Sequence, residues 1–115
     1  MNGLREKIQQ DLISALKEKR EFDLSVLRML AAAFQNKEKE KRFNLTKEKP
    51  DLKEEELIQQ SQLSDEEIVK VISSEIKKRR KTIPDYERGR RQDLVDKEQK
   101  EIEILNEYLP EETHD

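Results

Sequence analysis

The sequence predicts an all-α fold, a small antiparallel bundle of about four helices. Glu, Lys, Leu, Ile, Gln and Arg dominate the composition, a bias typical of amphipathic helices. Apolar residues recur at spacings of three and four, and only two glycines and three prolines are present to interrupt them. A chain of 115 residues is long enough for one domain with one modest core.

Two apolar stripes predict the first two helices. The first helix is expected over about Asn2–Lys19, from the stripe Leu4, Ile8, Leu12, Ala15 and Leu16. Asp23 is expected to cap the second helix, since an aspartate oxygen can accept from free backbone N–H groups. Its stripe consists of Leu24, Leu27, Leu30, Ala31 and Phe34, and we expect it to end near Arg42.

Residues 43–63 predict a mobile connection between the second and third helices. Pro50 and the polar turn residues around Asn44 and Thr46 favour a loop. The stretch DLKEEELIQQ has a weak apolar side and could form a short helix within it.

The third predicted helix begins with the clearest local signal in the chain. Ser64 followed by Glu67 is a capping box, and acidic residues in the first turn suit the helix dipole. Pro84 predicts that this helix ends near Thr82–Ile83 or continues with a kink to about Arg88. In the second case Gly89 is the natural C′ residue, the position that takes the left-handed conformation after a helix end.

The fourth predicted helix runs from about Arg91 to Tyr108. It directs Leu94, Val95, Ile102, Leu105 and Leu109 inward, and Pro110 lies beyond its end. We expect residues 1–112 to form the domain and residues 113–115 a tail. The amino-terminal stretch lacks the apolar core of a signal peptide, and no apolar run is long enough to span a bilayer, so we expect a cytoplasmic protein.

The residues that usually carry catalysis are scarce. There is no cysteine, and the one histidine, His114, is next to last in the chain. No nucleophile–base set and no glycine-rich phosphate loop can be assembled. Glu98 and Glu101 have a spacing that could present a pair of metal ligands, but the Glu-x-x-His pairs of di-iron bundles are missing. We therefore expect no active site, no metal and no cofactor.

One basic segment, SEIKKRRKTIPDYERGRRQDL, stands out. From Lys77 to Arg91 eight cations face two carboxylates, a local charge of +6, while the whole chain carries −3 and the remainder therefore −9. Helix geometry of 100° per residue separates the cations. Lys77, Lys78 and Lys81 fall on the outer face, Arg80 at the edge of the apolar arc and Arg79 within it. Arg79 is expected to form a structural ion pair with Glu75, four residues earlier.

Two interpretations of this segment remain. One is a helix end whose cations compensate the dipole, and the other is a patch that binds phosphate groups. In the second interpretation the nucleic-acid-binding residues are Lys77, Lys78, Arg80, Lys81, Arg88, Arg90 and Arg91. Only Tyr86 could stack on a base, so binding would depend on the phosphate backbone and its shape.

Three blocks in order carry a family resemblance. LSVLRMLAAAFQNKE, LSDEEIVKVISSEIKKRRKTI and GRRQDLVDKEQKEIEILNEYLPEE resemble the YqeY family, over about Leu4–Glu112. That family is related to the tail domain of GatB. GatB is the B subunit of the glutamine-dependent aspartyl/glutamyl-tRNA amidotransferase. The resemblance implies that members usually continue into a second, smaller helical subdomain, which we expect to be absent here. The family's basic block matches Lys77, Lys78, Arg79, Arg80, Lys81, Gly89 and Arg90.

The resemblance implies a helical domain that helps to hold tRNA. It also implies that the carbon–nitrogen ligase chemistry of such complexes, with glutamine as amido donor, takes place in other components. We therefore expect a tRNA-associated module in translation, with tRNA or a protein of tRNA metabolism as its partner and no membrane contact. The alternative is a helical protein–protein adaptor, because the acidic remainder of the chain would repel a long polyanion. A third interpretation is a component of the amidotransferase itself.

Overall fold

Five helices and no strand make up the part of the chain that the computed structural model describes, residues 3–111. They are α1 (Leu4–Lys17), α2 (Glu21–Glu48), α3 (Glu54–Gln60), α4 (Asp65–Arg88) and α5 (Gln92–Asn106). The predicted all-α bundle is confirmed. The fifth element is the short α3, which lies within the connection that was expected to be mobile.

Two helical hairpins, α1–α2 and α4–α5, pack against each other. Helix α4 contacts α1 and α2 as well as α5, and α2 also contacts α5. Their facing sides bury a single cluster centred on Phe34, Leu30, Ile68, Ile72 and Leu105, all fully buried. These side chains come from α2, α4 and α5, and Ile8 and Ala15 of α1 belong to the same cluster, so the core depends on four helices. Leu16, part of the predicted α1 stripe, is half exposed instead.

Helix α2 is longer than predicted at both ends. It begins at Glu21, so Asp23 lies in its first turn and accepts from the Arg20 guanidinium instead of capping the helix. It continues past Arg42 to Glu48. Thr46, which favoured a loop, donates its hydroxyl to the Phe43 carbonyl oxygen at 2.6 Å inside the helix. The helix ends just before Pro50, because a residue that precedes proline is biased towards extended backbone.

The distal part of α2 and the antiparallel α3 form an arm beyond the main core. Helix α3 contacts α2 but no other helix among the described residues, and none of its side chains is fully buried. Lys41 of α2 ties the end of this arm to α4, with its ammonium group 2.8 Å from the Glu67 carboxylate and 3.0 Å from the Gln62 carbonyl oxygen.

The capping box at the start of α4 is confirmed. Glu67 donates its backbone N–H to the Ser64 hydroxyl at 3.2 Å, and the Glu67 carboxylate accepts from the Ser64 backbone N–H at 2.9 Å. The helix passes through Pro84 and reaches Arg88, so it continues and does not end near Thr82–Ile83.

Helices α1 and α5 are shorter than predicted. Helix α1 ends at Lys17, and Asn2 lies outside the described residues. Helix α5 runs only from Gln92 to Asn106, but Tyr108 and Leu109 beyond its end are still buried. The Tyr108 hydroxyl donates to the Asp11 carboxylate at 2.6 Å and so ties this end of the chain to α1. The predicted tail at residues 113–115 lies outside the described residues.

Candidate nucleic-acid interface

The seven predicted nucleic-acid-binding residues lie on the last turns of α4 and in the turn to α5. All seven are exposed: Lys77, Lys78, Arg80, Lys81, Arg88, Arg90 and Arg91. Helix α4 holds the first five on a rigid backbone, while Arg90 and Arg91 belong to the short connection between α4 and α5.

Arg79 differs from its neighbours because it lies between α4 and α5. Only 14% of its side chain is exposed, and it reaches carboxylates on both helices. Its guanidinium is 3.0 Å from Glu75 on α4 and 2.9 Å and 3.8 Å from Glu101 and Glu98 on α5. It also donates to the Glu75 carbonyl oxygen at 2.9 Å. Arg79 therefore joins the two helices and is turned away from solvent.

The pKa values of two carboxylates around Arg79 shift in opposite directions. Burial raises the pKa of Glu98, and the nearby Glu101 charge adds to that rise, so its pKa lies above the usual value. For Glu75, burial acts in the same direction, but hydrogen bonds from Arg79 and Lys78 outweigh it and lower the pKa. Glu98 is thus the member of the cluster whose negative charge is compensated least.

Three of the seven predicted residues form ion pairs with nearby carboxylates. Lys78 lies 3.2 Å from Glu75, Arg91 lies 3.0 Å from Asp93, and Arg88 contacts Asp85. Each partner is two or three residues away in sequence. Both side chains are exposed in the Arg88–Asp85 and Arg91–Asp93 pairs, where water screens the charges, so a competing anion can replace the carboxylate at little cost. In the Lys78–Glu75 pair only the lysine is exposed, because Glu75 is 14% accessible.

Three other predicted residues have no ion-pair partner among residues 3–111. Lys77 and Lys81 are one helical turn apart on the outer face of α4, and Arg90 lies in the turn that follows. Arg80 is exposed as well, but it takes part in an interaction within the protein and is not counted with these three.

The turn that carries Arg90 has a specific backbone geometry. Arg91 donates its N–H to the Tyr86 carbonyl oxygen at 2.9 Å, and Arg90 donates to that of Glu87 at 3.1 Å. These two bonds form a Schellman motif, which requires one residue in the left-handed conformation. That residue is Arg90, with φ of 56°, and not Gly89, with φ of −81°. The predicted place of Gly89 is therefore wrong by one residue.

Metal-binding side chains are not clustered among the described residues. No group of three His, Cys, Asp or Glu side chains within residues 3–111 is arranged to hold a metal ion. Glu98 and Glu101, the possible metal pair, contact Arg79 instead. His114 lies outside the described residues. None of the helices in residues 3–111 is both long and apolar enough to cross a membrane.

Sequence reasoning found one carboxylate partner of Arg79 and missed two. Glu75 was predicted because it is four residues away on the same helix. Glu98 and Glu101 lie on another helix, and their approach depends on how α4 and α5 are aligned. The available signal was their spacing of three, which places both on one face of α5.

The family model described as "Yqey-like protein" matches the chain over residues 5–50 and 49–115. The two matched segments meet at the connection between α2 and α3. No curated protein matches the chain.

Proposed function

Since this chain belongs to the YqeY family, we propose that it is a tRNA-associated binding module without an active site of its own. In this proposal the cations at the end of α4 and in the following turn bind the phosphate backbone of tRNA. The relation of the family to the GatB tail domain supports an accessory role beside carbon–nitrogen ligases that use glutamine as amido donor.

The observation that carries the proposal is a set of exposed cations that lack ion-pair partners within residues 3–111, namely Lys77, Lys81 and Arg90. Exposed ammonium and guanidinium groups of this kind can approach phosphate groups and release counterions from the nucleic acid. Such sequence-independent contacts supply most of the affinity in non-specific nucleic-acid binding.

The paired cations can join the same surface. Arg88 and Arg91 are held by exposed carboxylates, where water screens each pair, whereas Lys78 is exposed but its partner Glu75 is largely buried. A phosphate group carries negative charge and several acceptor oxygens, and arginine can bind it through two parallel hydrogen bonds. When a phosphate group displaces Asp85 or Asp93, Arg88 or Arg91 joins the contact.

A charge-reversal variant tests the assignment. The triple substitution Lys77→Glu, Lys78→Glu and Lys81→Glu should reduce tRNA affinity by at least about tenfold at low salt, with little change in helicity by circular dichroism. The matched control reverses three exposed lysines elsewhere that also lack ion-pair partners in residues 3–111: Lys17, Lys39 and Lys97. Equal tRNA affinity of the wild type and the first variant would reject the assignment.

A protein–protein adaptor is the second candidate function. Two large apolar side chains are exposed on the arm formed by α2 and α3, Phe43 with 59% and Ile58 with 44% of its surface accessible. Exposed apolar side chains mark a contact with another protein where they form one contiguous patch, so this candidate requires that Phe43 and Ile58 share a patch. Purification separates the two functions: RNA that co-elutes with the protein raises the ratio of absorbance at 260 nm to that at 280 nm, whereas an adaptor retains a stoichiometric protein.

A further inference from the structure

Lys70 continues the basic surface of α4 towards the start of the helix. Lys70, Lys77, Lys81 and Arg88 follow at spacings of seven, four and seven residues, and all four side chains are exposed. At 100° per residue their directions fall within about 40° of each other, and at 1.5 Å per residue the row is about 27 Å long. We name this row the α4 crest.

The crest differs from the groove beside it in how its charges are balanced. The groove lies between α2 and α4 and has a volume of about 580 Å³. Cations along it pair with acids: Lys37 lies 3.4 Å from Glu40, and Lys78 lies 3.2 Å from Glu75. Lys70 borders this groove but has no ion-pair partner among residues 3–111.

Lys77 and Lys81 on the crest also lack an ion-pair partner among residues 3–111. Of the four crest residues only Arg88 is paired, with Asp85. A polyanion therefore meets uncompensated positive charge along the crest and a nearly neutral surface in the groove.

We propose that the α4 crest binds one phosphate backbone of a double-helical RNA segment that runs along α4, with Lys70 as a contact residue. This inference rests on the proposed function, to which it adds the form of the RNA, its direction and one further residue. The ligand is thus an RNA stem that lies along α4 from the turn back to Lys70, and not a short group of phosphates at the turn.

The absence of aromatic side chains from the crest supports a double helix over a single strand. Proteins that bind single strands stack the bases on aromatic rings, whereas double-helical RNA is bound mainly through its shape and backbone. Tyr86, the nearest aromatic residue in sequence, is half-buried and lies about 160° around the helix from Lys70 and Arg88. A stem also presents its phosphates in a fixed row, which suits cations held on one helix face.

The test compares two single substitutions with the same change of charge. Lys70→Gln removes a crest residue. Lys39→Gln removes an exposed lysine of α2 that also lacks an ion-pair partner among residues 3–111. Binding to a fluorescently labelled RNA hairpin, and to an unstructured RNA strand of equal length, is measured by anisotropy between about 0.1 and 0.4 M salt.

One phosphate contact contributes about 0.9 to the slope of log affinity against log salt for a duplex, or about eightfold in affinity at 0.1 M salt. We therefore expect Lys70→Gln to weaken hairpin binding about eightfold at 0.1 M salt and to reduce the slope by about 0.9. Lys39→Gln should leave both unchanged, and the wild type should bind the hairpin more tightly than the strand.

Each failure points to a different error. If the wild type binds the hairpin and Lys70→Gln binds equally well, the crest is wrong while the proposed function stands. Equal losses for Lys70→Gln and Lys39→Gln would show a general charge effect and overturn the crest. Tighter binding of the strand would overturn the double-helical ligand. If the wild type binds neither RNA, the proposed function fails together with the inference.

Discussion

The turn between α4 and α5 allows a quantitative test, because its glycine and its left-handed residue are neighbours. Arg90 has φ of 56°, which costs a residue with a side chain about 1–2 kcal/mol. Arg90→Gly removes that cost but gives the unfolded chain about 0.5–1 kcal/mol of additional entropy. The net expectation is a stabilisation of about 0.5–1 kcal/mol.

Gly89→Ala should stabilise the protein as well. A Cβ atom at residue 89 would lie 3.5 Å from the Asp85 carbonyl oxygen and 3.7 Å from that of Tyr86, which are ordinary contact distances. With φ of −81° the alanine is unstrained, and it restricts the unfolded chain by about 0.4–1 kcal/mol. Together the two substitutions should add about 1–2 kcal/mol.

Thermal unfolding followed by circular dichroism at 222 nm measures the effect. Unfolding entropy of about 2.1 cal/mol/K per residue over 115 residues converts 1 kcal/mol into about 4 °C, so the double variant should melt about 4–8 °C higher. Lys19→Gly at the end of α1 is a matched control for Arg90→Gly, because Lys19 has φ of 57° and should gain a similar amount from glycine. Destabilisation by Gly89→Ala would refute the reasoning, because it would place the left-handed conformation at Gly89.

Three further predictions concern the contacts between helices. Arg79→Met leaves partly buried carboxylates without their cation. It should destabilise the protein by about 2–3 kcal/mol in urea unfolding, somewhat less than the loss of a partner from a fully buried ion pair. An unchanged unfolding midpoint would contradict the role of Arg79. Glu98→Gln should stabilise the protein at pH 7, because the raised pKa of Glu98 means that its contribution to stability is lost as pH rises through that pKa. The lowered pKa of Glu75 has the opposite effect, a loss of stability as pH falls. Urea unfolding at pH 4 and pH 7 separates these two contributions. Tyr108→Phe removes the hydrogen bond to Asp11 and should cost about 1–2 kcal/mol in the same assay; no loss would show that the bond has no net value.

Much of the fold could be predicted because it depends on local patterns. The period of the apolar residues indicated the long helices, and the capping box placed the start of α4 at Asp65. The end of α2 could not be predicted in this way. Thr46 has turn chemistry, but its hydroxyl finds an acceptor three residues earlier inside a helix, and the surrounding Lys and Glu residues are good helix formers.

The candidate interface was predictable to the extent that one helix determines it. The helical wheel separates Arg79 from Lys77 and Lys81, and the structure places Arg79 between helices and both lysines in solvent. The partners of Arg79 on α5 depend on a turn whose left-handed residue is Arg90. Because glycine is the usual choice there, the sequence points to the wrong residue.

The salt dependence of tRNA binding by the wild-type protein tests the central claim most directly. If the six cations Lys77, Lys78, Lys81, Arg88, Arg90 and Arg91 all contact phosphate groups, affinity should fall about 2,000-fold between 50 and 200 mM salt. If only Lys77, Lys81 and Arg90 do so, the fall should be about 40-fold. Either result fits a phosphate-binding surface and reports whether the paired side chains exchange their partners. An affinity that does not change with salt, or no binding at about 50 mM, would contradict it.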